Sequence, residues 1–180
     1  MKRIIHLFAK GICLLSFFGH TSLRASAQAE FPKGWVLYAG GSQGCNTNFG
    51  LTPDRYIGGL DLKPMVTVIP DHLRLGALAG LIYTDQRVDA MAGPLVAWKV
   101  TKFAIPAFAG TLGNLQLQLG YFRGSGDHSA VGGGPFVEVA RKFQVGITAF
   151  RDYGINSWLF QLGLGINLLS KKIQSDPFQH

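Results

Sequence analysis

Charge is scarce in this chain. Asp, Glu, Lys and Arg together make 15% of the residues, against roughly 25% in ordinary soluble domains, so something other than water is expected to cover much of the surface. Cysteine is nearly absent too: of the two present, Cys13 lies in an apolar stretch near the start, and Cys45 alone has no partner for an intrachain disulfide. Cys45 has no neighbouring His or basic residue to activate its thiol. No Cys/His set has metal-ligand spacing, and His72, His128 and His180 stand apart as isolated, solvent-exposed histidines. Gly132-Gly133-Gly134 has no following Lys-Ser/Thr, which excludes a phosphate loop and leaves a place for bending or close packing. No Lys/Arg cluster with interleaved aromatics occurs, which argues against nucleic acid as a partner. These absences leave no cofactor, no metal and no recognised catalytic residue to assign.

No apolar run reaches the roughly 20 residues that a membrane-crossing helix needs. The stretch 12–18 is short, follows the basic pair Lys2-Arg3, and precedes the small residues Ala25-Ser26-Ala27-Gln28-Ala29. That is the order of an export signal cleaved after Ala29, so 1–29 is set aside as a leader. Lys2, Arg3, Lys10 and Arg24 go with it, and the 17 basic and 10 acidic residues of the whole chain reduce to a net excess of only +3. About 150 residues remain, one domain with room for eight strands of about ten residues and their turns.

The positive signal is a two-residue period. In 157–168, Trp158, Phe160, Leu162, Leu164, Ile166 and Leu168 share one face, while Gln161, Gly163, Gly165 and Asn167 share the other. Similar alternation predicts strands over 35–44, 56–69, 72–84, 91–101, 112–123, 132–142, 144–151 and 157–168. Pro70-Asp71 and Lys142-Phe143 read as tight turns, and 44–55, 85–90, 124–130 and 152–156 as longer polar loops. Pairing across Pro70-Asp71 puts Asp61 opposite Gly80, Lys63 opposite Leu78 and Thr67 opposite Arg74 in one register without a slip. The segment 101–114 fits two readings, an extension of the fifth strand bulged at Pro106 or a separate excursion.

The fold expected is all-β, an antiparallel up-and-down transmembrane β-barrel of about eight strands over 30–170, followed by a polar tail over 171–180. A soluble barrel would turn its apolar face inward and need a charged coat. Here the non-apolar face consists of residues such as Gly40, Ser42, Gly80, Gln118, Thr148 and Gln161, which suit a narrow filled lumen. Aromatic residues fall at strand ends, as in the two rings at membrane interfaces. Tyr56, Tyr83, Tyr121, Phe150, Tyr153 and Trp158 adjoin the longer loops, and Trp35, Phe103 and Phe143 the other end.

In this plan the chain resembles the small outer-membrane β-barrel proteins of Gram-negative bacteria, the eight-stranded type related to the OmpA transmembrane domain and OmpX. The resemblance covers 30–170 as pattern and carries no diagnostic motif. The usual aromatic C-terminal residue is replaced by the tail after Leu168. The resemblance implies an exported protein of the outer membrane, with lipid, including lipopolysaccharide, and the assembly machinery as partners, and an unknown protein partner as a further one.

Asp61, Lys63, Arg74 and Glu138 have inward parity and are expected to form a lumenal ion-pair network, since buried ions must pair. His128 and Ser129, with Glu138 downstream, invite comparison with the lipid A deacylases, barrel enzymes using Ser, His and an acid. Adjacent residues in an extended segment point to opposite faces, however, and the His-x-Ser spacing is absent. The leading expectation is a non-enzymatic barrel with a structural, envelope-integrity or surface-interaction role. A lipid-modifying barrel enzyme and a soluble periplasmic carrier of an apolar ligand are the alternatives.

Overall fold

The structure, a computed structural model, describes residues 31, 33–50, 54–84, 87–105 and 111–169. The leader over 1–29, Pro106 and the tail over 171–180 lie outside the described residues. Eight strands follow one another: β1 (Trp35–Thr47), β2 (Arg55–Ile69), β3 (Leu73–Thr84), β4 (Arg87–Ile105), β5 (Thr111–Gly124), β6 (Ser129–Val139), β7 (Phe143–Asp152) and β8 (Ser157–Asn167). Each pairs antiparallel with its sequence neighbours, and β8 returns to β1, with Gly41 opposite Leu164. The sheet is therefore a closed up-and-down barrel with no free edge.

Alternation decides which side chains go where. Leu60, Leu81, Val96, Leu119, Val131, Ile147, Leu162 and Leu164 project outward and stay exposed, while Met65, Leu95, Gln116, Gln118, Phe136 and Glu138 are buried inside. The exterior is thus greasy and the interior mixed polar, the reverse of a water-soluble barrel. Inside, the aromatic bulk needs glycine beneath it. A Cβ at Gly146 would collide with the Phe136 ring and lie 2.6 Å from the Pro135 carbonyl oxygen, and Gly163 leaves the same ring 3.7 Å of clearance.

Several boundaries differ from the pattern reading. β4 extends from Arg87 to Ile105, so 101–105 belongs to the fourth strand and not to an extended fifth. After a register shift between Lys99 and Thr101, β4 stays paired with β5 to Ile105 opposite Thr111, beyond its last pair with β3 at Trp98. The sixth strand is Ser129–Val139, earlier than 132–142, because the hairpin turns at Ala140-Arg141 and not at Lys142-Phe143. Ala140 and Arg141 both have positive φ, 52° and 56°, and Lys142 N donates to Val139 O at 3.0 Å, the geometry of a type I′ turn, whose twist suits a hairpin. Asp61 does face Gly80 and Thr67 does face Arg74, but the register slips by one residue between Thr67 and Ile69. There Pro70 and the positive-φ Asp71 make a turn closed by His72 N donating to Ile69 O.

Phe150 is the aromatic residue that the girdle assignment misplaces. It is buried in the lumen, edge-on to Phe122 with ring centroids 5.3 Å apart, because its parity on β7 matches Gln144, Gly146 and Thr148. Trp35, Tyr56, Tyr83, Tyr121, Phe143 and Tyr153 are exposed, Trp158 and Phe103 are half-buried, and a Cβ at Gly113 would meet the Phe103 ring at 2.8 Å.

Candidate functional site

The lumen is stacked in layers, and each has its own chemistry. At the turn end, Glu138 on β6 receives three donors: Tyr38 Oη, Arg74 Nη1 at 2.6 Å and Asn114 Nδ2 at 3.1 Å. Arg74 and Glu138 are fully buried. A carboxylate so surrounded is a charge-assisted acceptor in a dry environment, where its bonds are stronger than in water. The Arg74 guanidinium also lies on the Phe31 ring, 3.7 Å from the centroid. Phe31 itself is fully buried, and its carbonyl oxygen accepts from Asp71 N at 3.2 Å. The segment entering the barrel thereby caps this end of the lumen, and Lys99, which pairs with Asp71, reaches the same ring at 5.9 Å.

Halfway along the lumen, Lys63 Nζ lies 3.5 Å from Asp61 Oδ1 and 4.7 Å above the Phe136 ring. The four charges expected in one network thus form two separate pairs, Asp61 with Lys63 and Arg74 with Glu138. Cavities of about 40 and 30 Å³ beside Asp61 are lined by Ser42, Leu78, Phe150 and Gln161, room for a water or so each and no channel. Above them Ile57, Ile82, Met91, Phe122, Phe150 and Leu159 close the lumen with apolar side chains.

The loop end is organised by His128. It is buried, not solvent-exposed as its isolation in sequence implied, because Asp152 and Asp89 converge on its two nitrogens. Nδ1 lies 2.6 Å from Asp152 Oδ2, and Nε2 3.6 Å from Asp89 Oδ2. The hydrogen bond to Asp152, strengthened by both carboxylates and opposed by burial, pushes the imidazole pKa up from its ordinary value. Asp152 Oδ1 also accepts from the backbone N–H groups of Ser129, Gly154 and Ile155. Asp89 Oδ1 accepts from Ser125 Oγ, which in turn accepts from Ala90 N at 2.9 Å. One imidazole therefore ties the start of β4, the β5–β6 connection and the end of β7 together.

A nucleophile is missing from this arrangement. Ser129 points away from His128, with Oγ 3.3 Å from Tyr121 Oη on the exterior, and Glu138 lies in the layer at the far end of the lumen. Both His128 nitrogens face carboxylates, so no serine hydroxyl among the described residues is placed to lose its proton to the imidazole. Among the described residues no group of three or more His, Cys, Asp or Glu side chains is arranged to hold a metal ion.

No family model matches the chain, and no curated protein matches it. Among solved structures it is similar to the outer membrane enzyme PagL, at 15% identity and a TM-score of 0.47, over 72% of this chain and 98% of that one.

Tyr38, Asn114, Phe31, Asp89 and Asp152 are the site residues the pattern reading missed. Tyr38 has the parity of Gly40 and Ser42 and could have been placed inward on that ground. The His128 cluster joins one loop residue to acids on two strands far apart in sequence, which no local pattern encodes.

Proposed function

We propose that this protein is a non-enzymatic outer-membrane barrel that serves the envelope as a rigid, sealed structural element. One observation carries the reading: a closed barrel whose outward side chains are mostly apolar, around an interior that holds paired charges and aromatic rings. That distribution is stable where the exterior meets hydrocarbon and unstable where it meets water. It opposes the carrier alternative, which needs a polar exterior and an apolar cavity. The orientation of His128 and Ser129 opposes the lipid-modifying enzyme. An export leader over 1–29, the aromatic ring at the strand ends and passage through the assembly machinery belong to the same reading.

Fractionation tests it. The mature protein is expected to start at Glu30, to sediment with outer membranes, to need detergent for release, and to migrate differently on gels before and after boiling. In planar bilayers the purified protein is expected to show no steady conductance, because Phe31, Phe136 and the Phe122–Phe150 layer leave no water column. Release into a detergent-free soluble fraction, or stable open-channel currents, would overturn the reading.

A further inference from the structure

We propose that Arg123 and Arg151 form a binding site for the phosphate headgroup of an anionic membrane lipid on the outer wall of the barrel; the inference rests on the membrane reading above. Arg123 lies opposite Ser129 on β6, and Arg151 lies opposite Val131 on the same strand. The two arginines therefore flank β6 from β5 and β7, two strand spacings across and two residues along, with backbones ~12 Å apart. Alternation turns both outward, each at the loop end of an apolar column, Leu117, Leu119 and Tyr121 on β5 and Val145, Ile147 and Ala149 on β7. A membrane interface falls at that height.

The two side chains are prepared differently. The Arg151 guanidinium is held in place, 5.8 Å from the Tyr153 and Trp158 ring centroids and donating to Asn156 Oδ1. Arg123 is exposed and has no hydrogen-bond or ion-pair partner among the described residues. Between them stand the hydroxyls of Ser129 and Tyr121, 3.3 Å apart. The outward positions at this end of β4 to β8, Val88, Ala90, Tyr121, Arg123, Ser129, Val131, Arg151 and Trp158, include no acid. Asp89 and Asp152 have been drawn inward onto His128, and the exposed Asp127 lies beyond, in the β5–β6 turn. Guanidinium forks and hydroxyls on a wall without carboxylates match phosphate oxygens. The apolar columns directly beneath make the occupant a lipid rather than a free anion, since its acyl chains cover the wall while its phosphate meets the arginines.

The test uses the full mature chain folded into phosphatidylcholine nanodiscs, with phosphatidylglycerol as the probe and native mass spectrometry to count retained lipid. R123Q/R151Q is expected to bind phosphatidylglycerol about tenfold more weakly, the loss of roughly 1.4 kcal/mol of charge-assisted bonding. R87Q, at a rim position of inward parity, should bind as the parent does. If the double variant fails to fold, R123Q alone removes a side chain with no hydrogen-bond or ion-pair partner among the described residues and should still lose several-fold. Equal retention by parent and variants would overturn the proposal, as would displacement of the lipid by inorganic phosphate at comparable concentration, which would mark a soluble-anion site. A chain that never enters the bilayer would overturn the membrane reading itself.

Discussion

Removing the charge of Glu138 probes the lumen at its most demanding point. In E138Q the carboxylate that accepts from Tyr38, Arg74 and Asn114 becomes an amide with one acceptor oxygen and two donor hydrogens. Arg74 is then a fully buried cation whose remaining support is the Phe31 ring at 3.7 Å. Breaking a buried pair costs about 3–5 kcal/mol; the Phe31 contact is common to parent and variant and cancels, while the amide oxygen still accepts one bond worth about 1 kcal/mol. A net loss of about 2–4 kcal/mol follows, with Asn114 Nδ2 facing a donor. The assay is urea unfolding of detergent-folded protein, read by gel mobility and by tryptophan fluorescence. A double-mutant cycle isolates the cause: in a Tyr38→Phe background, E138L and R74M are each expected to destabilise strongly, and the pair together far less than their sum, because no unpaired ion is left inside. Additive effects, or an E138Q midpoint equal to that of the parent, would refute the account of a buried pair that must stay complete.

Three further outcomes are expected. His128 carries a raised pKa, so its contribution is fully present below the unfolded value near 6.5 and is lost as pH rises through the folded value; protease nicking of the β5–β6 and β7–β8 loops should therefore increase on the alkaline side, and H128N should abolish that pH dependence. Phe31→Ala should lower the unfolding free energy by about 3–5 kcal/mol through lost burial and cation–π contact and admit a water-soluble thiol reagent to a cysteine placed at Gln144, which the parent should protect. Gly146→Ala should cost about 1–3 kcal/mol by driving a methyl into the Phe136 ring, with F136L in the same chain recovering part of the loss; an unaffected G146A would mean that the ring does not lie over that glycine.

Much of the barrel was legible because a strand's period is two and lipid rewards one face uniformly. Trp158 through Ile166 declared their faces without any knowledge of neighbours, and Pro70 with Asp71 declared a turn. The Ala140-Arg141 turn was hidden because neither residue is a customary left-handed one, and only closure of the β6–β7 register forces both to positive φ. Phe150 was misread because an aromatic residue near a strand end fits a girdle and a plug equally well by composition. Parity along β7 separates the two, and the glycine-lined space that lets a ring turn inward exists only in the closed barrel.

The same division runs through the site. By itself the sequence determined an exterior of lipid-facing type, an even number of antiparallel strands and the inward parity of Asp61, Lys63, Arg74 and Glu138, because each follows from alternation within one strand. Which charge meets which was decided by barrel closure, which sets the heights at which strands distant in sequence face one another across the lumen. Arg74 on β3 reaches Glu138 on β6 rather than Asp61 on the adjacent strand, and His128 finds acids delivered by β4 and β7. Those partners are fixed by geometry across a space a few side chains wide, which a one-dimensional pattern does not contain.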